Sequence, residues 1–307
     1  MARQRRPVLG IGIMLLAHKL YSIGMNTIPP VTLLAVIGQT LLYMGIINPP
    51  WDRYDMCLSG EAILRDKDYR RLFLSAVEHA DDIHLYYNMA SLILKGRSLE
   101  RRYGSLKFLI LLVVFTAATS LTYVGLVWGA TEAFHTYSYM KQCAIGFSGV
   151  LFALKALTTH YEGSGFHYVH GIMVPSKYAV WAELFVIHIL VPRSSFIGHL
   201  AGILVGSAYI LGPLKLLVNS VHSIISGLNA FNEPAYTRST AGPRPHQRPS
   251  PEYSRQQYGW NFDYGSQYQG EQYSQMNEPY EADGDGASNP LPSEEELRQR
   301  RLWRFQY

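Results

Sequence analysis

The chain has 307 residues, of which 48% are hydrophobic and 16% charged, and its formal net charge is +4. Apolar runs dominate up to about Val218, and the remainder is polar with few aliphatic residues. The basic residues lie beside hydrophobic runs or at the C-terminus, and they are not interleaved with stacking aromatics, so nucleic-acid binding is not indicated. The composition predicts a membrane-embedded helical domain followed by a flexible tail.

Residues 1–27 combine a basic start with a short apolar stretch, Val8–Ala17. This pattern could be a signal peptide, but His18 and Lys19 follow where a cleavage site requires small residues. The stretch is also too short to cross a bilayer. We therefore favour a cytosolic N-terminus with an interfacial helix.

Residues 28–218 contain six apolar segments that we interpret as membrane spans, the second and fifth more polar than the rest. A long polar loop, residues 48–82, follows the first span and is expected to have structure of its own. The predicted fold is an all-α membrane protein with six transmembrane helices. The segments are Val31–Ile47, a second that starts near Ile83, Leu106–Trp128, Ala144–Thr159, Tyr178–Val191 and Phe196–Val218.

The distribution of lysine and arginine predicts how these spans are oriented. Basic residues concentrate in the N-terminus, in the loop after the second span and at the end of the sixth. Such residues favour the cytosolic side, which places both termini in the cytosol. The second, fourth and sixth spans then begin at the opposite face. His84, Ser148 and His199 lie near those three starts, within roughly 10 Å of one surface.

Ser148 lies in the first turns of the fourth span and His199 in the first turn of the sixth, each next to a glycine. Glycines at every fourth position of the sixth span allow a second helix to approach closely, and the fourth span offers a matching small surface. Such packing would bring His199 near Ser148, where a neutral imidazole can take the hydroxyl proton. The alternative is that His199 is a satisfied polar group and the glycines only pack. The residues expected to pack around the pair are Gly146, Gly149, Phe152, Gly202 and Gly206.

His84 and Asn88 lie four residues apart on the second span and project from one face. Their N–H groups, with the backbone N–H of Ser148 at a helix start, could stabilise an oxyanion. The alternative is a polar patch that binds water or caps a loop. No Asp or Glu adjoins His199 in the sequence, so a Ser–His dyad is favoured over a triad.

Three motifs occur in order in the second, fourth and sixth spans: His84-x-x-x-Asn88, Gly146-Phe147-Ser148-Gly149 and Gly198-His199-x-x-Gly202-x-x-x-Gly206. In this combination the chain resembles the rhomboid family of intramembrane serine proteases. The resemblance covers roughly residues 31–212.

The resemblance implies Ser148 as nucleophile, His199 as general base, and His84, Asn88 and the Ser148 backbone as oxyanion site. No metal or cofactor is expected. Many rhomboids have a tyrosine where this chain has Phe152, which can stack on the histidine but cannot donate a hydrogen bond. Inactive homologues lose the serine or the histidine, and this chain keeps both. The implied substrates are membrane proteins, chiefly single-span ones.

The tail comprises residues 219–292, whose low complexity predicts disorder, and an Arg-rich helix at 293–307. Ser293 is a suitable N-cap, and the charge order suits the helix dipole. Core and tail together are similar to the animal endoplasmic-reticulum rhomboid proteases, whose C-terminal helix docks on the valosin-containing AAA ATPase. The residues implied to bind that ATPase are Arg298, Arg300, Arg301, Leu302, Arg304 and Phe305.

The same resemblance implies a multi-pass protein of the endoplasmic reticulum membrane that feeds endoplasmic-reticulum-associated degradation. A charged helix without a partner is the alternative reading of residues 293–307. No ubiquitin-interacting motif is found, so ubiquitin binding is not expected. The main alternative function is a non-catalytic adaptor that delivers membrane clients to the ATPase.

Three further features concern charged residues, cysteines and histidines. Lys155 and Glu183 both lie within apolar spans and are expected to pair, with independent snorkelling as the alternative. Cys57 and Cys143 fall on the same side of the membrane, so a disulfide could form, but two free thiols are favoured. The histidines 160, 167 and 170 are spaced too loosely to predict a metal site.

Overall fold

A computed structural model describes most of the apolar part of the chain. The predicted ATPase-binding helix at 293–307 lies outside the described residues, as does the part of the predicted disordered tail from 233 to 292. Residues 219–232 of that tail are helical, which corrects the prediction of disorder there. The described ranges are 10–163, 165–169, 172–191 and 194–232.

The described part is mostly helical, as the apolar runs predict. Two 3-10 turns, Met25–Thr27 and Tyr54–Met56, accompany the regular elements. The regular elements are α1 (Ile11–Ile23), α2 (Pro30–Tyr43), α3 (Gly60–Leu64), α4 (Arg71–Val77), α5 (Asp82–Tyr103), α6 (Ser105–Phe134), α7 (Ser138–Lys141), α8 (Ser148–Glu162), β1 (Phe166–Val169), β2 (Ile172–Pro175), α9 (Ser176–Leu190), α10 (Phe196–Leu211) and α11 (Pro213–Asn232).

The helices α2, α5, α6, α8 and α9 coincide with the first five predicted spans. By length and composition, α6 could cross a membrane by itself, and α10 with α11 could do so as one bent pair. The other described helices are shorter or more polar. The six-span topology therefore stays a prediction, while helices at all six predicted positions are confirmed.

The sixth predicted span is broken, which corrects the single helix expected over Phe196–Val218. Gly212 adopts a φ of +119°, and the axes of α10 and α11 differ by 73°. Glycine tolerates this backbone conformation, and Pro213 cannot continue the preceding helix but suits the first turn of a new one. The Gly-Pro pair is a sequence signal for the end of a helix, but it lies inside a continuous apolar run that was interpreted as one span.

The N-terminal helix α1 lies beside α5. The backbone N–H of Gly12 donates to Asp82 Oδ2 at 2.7 Å, and Leu16 is 1% exposed. A helix in this region was expected, and the structure extends it to Ile23. Its predicted interfacial position stays a prediction.

The long loop between α2 and α5 contains two short helices, α3 and α4, so the expectation of internal structure is confirmed. Leu58 and Ala144 exchange backbone hydrogen bonds of 2.8 Å in both directions. This bridge brings the adjacent Cys57 and Cys143 to a Cα–Cα distance of 5.5 Å, and the two form a disulfide. The preference for two free thiols is therefore wrong.

The connection between α8 and α9 contains a two-stranded antiparallel hairpin, β1 and β2. The all-α expectation fails here. The two strands are short runs with aromatic and β-branched residues, which favour strands, within a segment that was interpreted as a polar loop.

The helix α8 is the centre of the domain. Every residue from Val150 to Thr159 is buried, and the helix packs on α5, α6, α9 and α10. Lys155 Nζ lies 3.3 Å from Glu183 Oε2, so the expected pair is confirmed. Lys95 Nζ of α5 lies 3.9 Å from Glu183 Oε1 and donates to Ser91 Oγ. The charged group therefore has three members, one from each of three helices.

Candidate active site

Ser148 and His199 form the centre of the candidate site. Ser148 is the first residue of α8, and His199 lies in the first turn of α10. Ser195 caps α10 by accepting a hydrogen bond from the Gly198 N–H at 3.1 Å. His199 Nε2 lies 3.0 Å from Ser148 Oγ, so the predicted proximity of the two side chains is confirmed.

The pair is enclosed but reachable. His199 is 4% exposed, whereas Ser148 is partly exposed. Among the described residues, His199 Nδ1 has no hydrogen-bond partner. A carboxylate in the role of a third triad member is therefore not found within the described part, and the arrangement is a two-residue one.

Phe152 holds the imidazole in place from one side. It lies one helical turn after Ser148, and its ring stacks on His199 with a centroid separation of 4.5 Å and an interplanar angle of 27°. Stacking was expected for this position. Phe152 also belongs to one buried cluster with Val180 and Leu184 of α9.

Glycines explain why α8 and α10 approach so closely. A Cβ at Gly202 would collide with the backbone carbonyl of Gly149, and one at Gly206 would lie 2.7 Å from the carbonyl oxygen of Ala153. Because each of these glycines meets backbone, no side-chain movement could relieve the overlap. The predicted packing role of the glycine stripe is thus explained by direct backbone contact.

The predicted oxyanion residues lie beside the start of α8. A Cβ at Gly146 would be 2.6 Å from His84 Cε1, so the His84 ring occupies the space that this glycine leaves. Asn88 is 4% exposed, and its Nδ2 donates to the His84 carbonyl oxygen at 2.7 Å. These contacts fix where the two side chains lie, and their role in catalysis stays a prediction.

The sequence did not single out His79, which precedes α5. Its ring is fully buried and packs edge-on against His84, with centroids 5.3 Å apart. Burial lowers the pKa of His79 well below its ordinary value, so this neighbour of His84 is neutral at pH 7. The residue lies in a polar loop without periodicity, so no sequence pattern could have identified it.

The remaining sequence candidates do not form a second site in the described part. His160 is exposed in the last turn of α8, His167 lies in β1, and His170 is outside the described residues. Among the described residues, no group of three or more His, Cys, Asp or Glu side chains could hold a metal ion. The tail residues predicted to bind the ATPase are outside the described ranges.

A hydroxyl in hydrogen-bond contact with a histidine, beside further N–H donors, is the arrangement that serine hydrolases use. Residues 66–215 match the Rhomboid domain family. The chain is 40% identical over 253 residues to Rhomboid-related protein 4 of Homo sapiens, which covers 80% of this chain and 79% of that protein. It is 42% identical over 222 residues to Rhomboid-related protein 4 of Mus musculus, covering 72% and 70%.

A more distant relative is Rhomboid-type serine protease 2 of Yarrowia lipolytica, 24% identical over 200 residues and 64% of each chain. The chain belongs to the rhomboid family. That family consists of integral membrane proteins and includes serine proteases.

Proposed function

We propose that this protein is an intramembrane serine endopeptidase that hydrolyses peptide bonds in or near transmembrane segments of membrane proteins. The observation that carries the proposal is the 3.0 Å contact between His199 Nε2 and Ser148 Oγ at the start of two closely packed helices. Membership of a family that includes serine proteases supports it.

In the proposed reaction, Ser148 Oγ attacks the carbonyl carbon of the scissile bond while His199 Nε2 takes the hydroxyl proton. The carbonyl oxygen becomes an oxyanion, which the Ser148 backbone N–H, the Asn88 amide and His84 stabilise by hydrogen bonds. The imidazolium then gives its proton to the leaving amine, and an acyl-enzyme remains. Water attacks that ester with His199 again as base, which releases the acid and restores Ser148.

The surroundings of His199 suit this role. Proton transfer needs one ring orientation, and Phe152 provides it by stacking. The partly exposed Ser148 lets water reach the acyl-enzyme from the face where α8 begins. Since a peptide carbonyl inside a helix is hydrogen-bonded and screened, substrates whose spans unwind readily should react fastest.

The test is cleavage of a single-span reporter by purified full-length protein in lipid vesicles. Ser148→Ala and His199→Ala should each reduce the rate by ~10³-fold or more, because the two groups act as a unit. Ser207→Ala is the matched control, since Ser207 Oγ on α10 only donates to the Ile203 carbonyl. Unreduced cleavage by either active-site variant would refute the mechanism. Unchanged client turnover in cells that carry Ser148→Ala would favour the non-catalytic adaptor.

The resemblance also supports a proposal about cellular context. The protein would reside in the endoplasmic reticulum membrane with both termini cytosolic, and residues 293–307 would bind the valosin-containing AAA ATPase to feed degradation. Deletion of residues 293–307 should abolish co-purification of the ATPase and leave reporter cleavage in vesicles unchanged. Retained co-purification after the deletion would contradict this part of the proposal.

A further inference from the structure

The hairpin that links α8 and α9 has one apolar face exposed. Phe166 pairs with Pro175 and Tyr168 with Met173, so these four side chains share a face. Phe166 is 65% exposed and Met173 57%. Val169, on the opposite face, is 2% exposed. Its cross-strand partner Ile172 is 58% exposed, so the hairpin is anchored on the protein at Val169. The face of Phe166 and Met173, which carries no charged side chain, is directed outward.

The hairpin lies at the end of the domain opposite Ser148. It follows the last residue of α8, which has 15 residues and so extends ~22 Å from Ser148. The exposed residues Tyr178, Trp181 and Phe185 of α9 recur at helical spacing directly after the hairpin. Since α9 belongs to a membrane protein, that apolar stripe faces lipid, and the outer face of the hairpin continues it at the helix end.

A second element places this end of the domain at the level of the membrane surface. The contacts of Gly202 with Gly149 and of Gly206 with Ala153 show that α8 and α10 run parallel, so α11 begins at the same end as the hairpin. With its axis 73° from that of α10, α11 runs nearly across the helix bundle. Its exposed residues include Leu216, which is 70% exposed, and Lys215. A helix that lies crosswise with apolar and basic residues outward suits the lipid headgroup region.

The geometry points to a membrane-docking surface on the hairpin: the face of Phe166, Tyr168, Met173 and Pro175 lies on the bilayer leaflet away from Ser148. The residue types suit contact with lipid. Tyrosine and tryptophan favour the boundary between headgroups and acyl chains, and Lys177, exposed at the start of α9, can reach lipid phosphates. In water, such an uncharged face would be a liability for association. The inference concerns lipid contact and is independent of the proposed protease chemistry.

The test measures which solvent surrounds Met173 in the intact protein. Met173→Cys, labelled with a fluorophore under non-reducing conditions that preserve the native disulfide, is placed in phosphatidylcholine vesicles. Quenching is measured with aqueous iodide and with lipids that carry a nitroxide near the headgroup. Leu121→Cys, exposed in the middle of α6, is the lipid reference, and Asp66→Cys, exposed in the long loop, is the water reference.

The Met173 probe should be at least about threefold less quenched by iodide than the Asp66 probe, and strongly quenched by the shallow nitroxide. A probe at Phe166→Cys should behave likewise, since both residues share the outer face. Iodide quenching equal to that at Asp66 would overturn the proposal. Protection from both quenchers would also overturn it, because a second copy or another protein would then cover the face. Reporter cleavage in the same vesicles shows separately whether the enzyme is active.

Discussion

The helix α8 packs against α10 on one side and α9 on the other, and the two contacts are built differently. Against α10, glycines place backbone directly on backbone, with Gly202 against the Gly149 carbonyl. Against α9, side chains meet: Lys155 pairs with Glu183, and Leu184 shares a buried cluster with Phe152. The spacing of the first contact is set where backbone meets backbone at the glycines, whereas the second contact is made by side chains.

The two contacts have different roles in the domain. The α8–α10 contact determines the separation of Ser148 and His199. Because backbone atoms meet at the glycines, side-chain movement cannot change this separation. The α8–α9 contact supports Phe152 and compensates buried charge. In an apolar surrounding, the three charged side chains stabilise only as a set, since each one alone would be costly. The α8–α10 contact thus fixes the geometry of the Ser148–His199 pair, and the α8–α9 contact stabilises the buried charges.

The largest expected effect comes from the charged contact. Glu183→Gln removes the carboxylate that lies within 4 Å of both buried lysines, Lys95 and Lys155, and should lower the free energy of unfolding by about 3 kcal/mol or more. Denaturation in detergent micelles measures this. Glu132→Gln, at an exposed glutamate of α6, is the matched control and should change stability by less than about 0.5 kcal/mol.

The pairing itself is tested by the cycle of Lys155→Met, Glu183→Gln and the double variant. The double variant should lose clearly less stability than the sum of the two single variants, because each single change leaves the partner uncompensated. Strict additivity would show that the two charges do not interact. The α8–α9 contact would then not be stabilised by this ion pair.

The next effect concerns the glycine contact. Gly202→Ala forces α10 away from the Gly149 carbonyl and should cost about 1–3 kcal/mol of stability. The same shift separates His199 from Ser148, so the cleavage rate should fall more than stability alone explains. Gly125→Ala on α6, where a Cβ meets nothing within 4 Å, should be neutral or slightly stabilising. Equal behaviour of the two variants would show that the close approach is not required.

The smallest effect comes from the ring between the two contacts. Phe152→Leu keeps an apolar side chain but loses stacking on His199, worth about 0.5–1.5 kcal/mol. The expected result is a fall in kcat of about 2- to 10-fold with KM nearly unchanged, measured on the reporter. Phe152→Tyr keeps the stack and should retain most of the activity. A change confined to KM would mean that the ring contacts substrate and does not position the base.

Local patterns in the sequence determined the residue types and the helices of the site. The resemblance to rhomboids implied that Phe152 can stack on His199, and the glycine stripe predicted the close approach of α10. A charged residue within an apolar run signalled the pair of Lys155 and Glu183. These inferences succeed because the periodicity of a helix relates neighbours that are three or four residues apart.

The tertiary structure decided what depends on residues that are distant in the chain. It brought Lys95 to Glu183, placed His79 against His84, and joined Cys57 to Cys143. It also showed that α10 ends at Gly212 and that a hairpin precedes α9. Such contacts arise from the packing of whole elements, which no periodicity within one segment specifies. The 3.0 Å between Ser148 and His199 belongs here as well, since it depends on two backbones meeting at the glycines of α8 and α10.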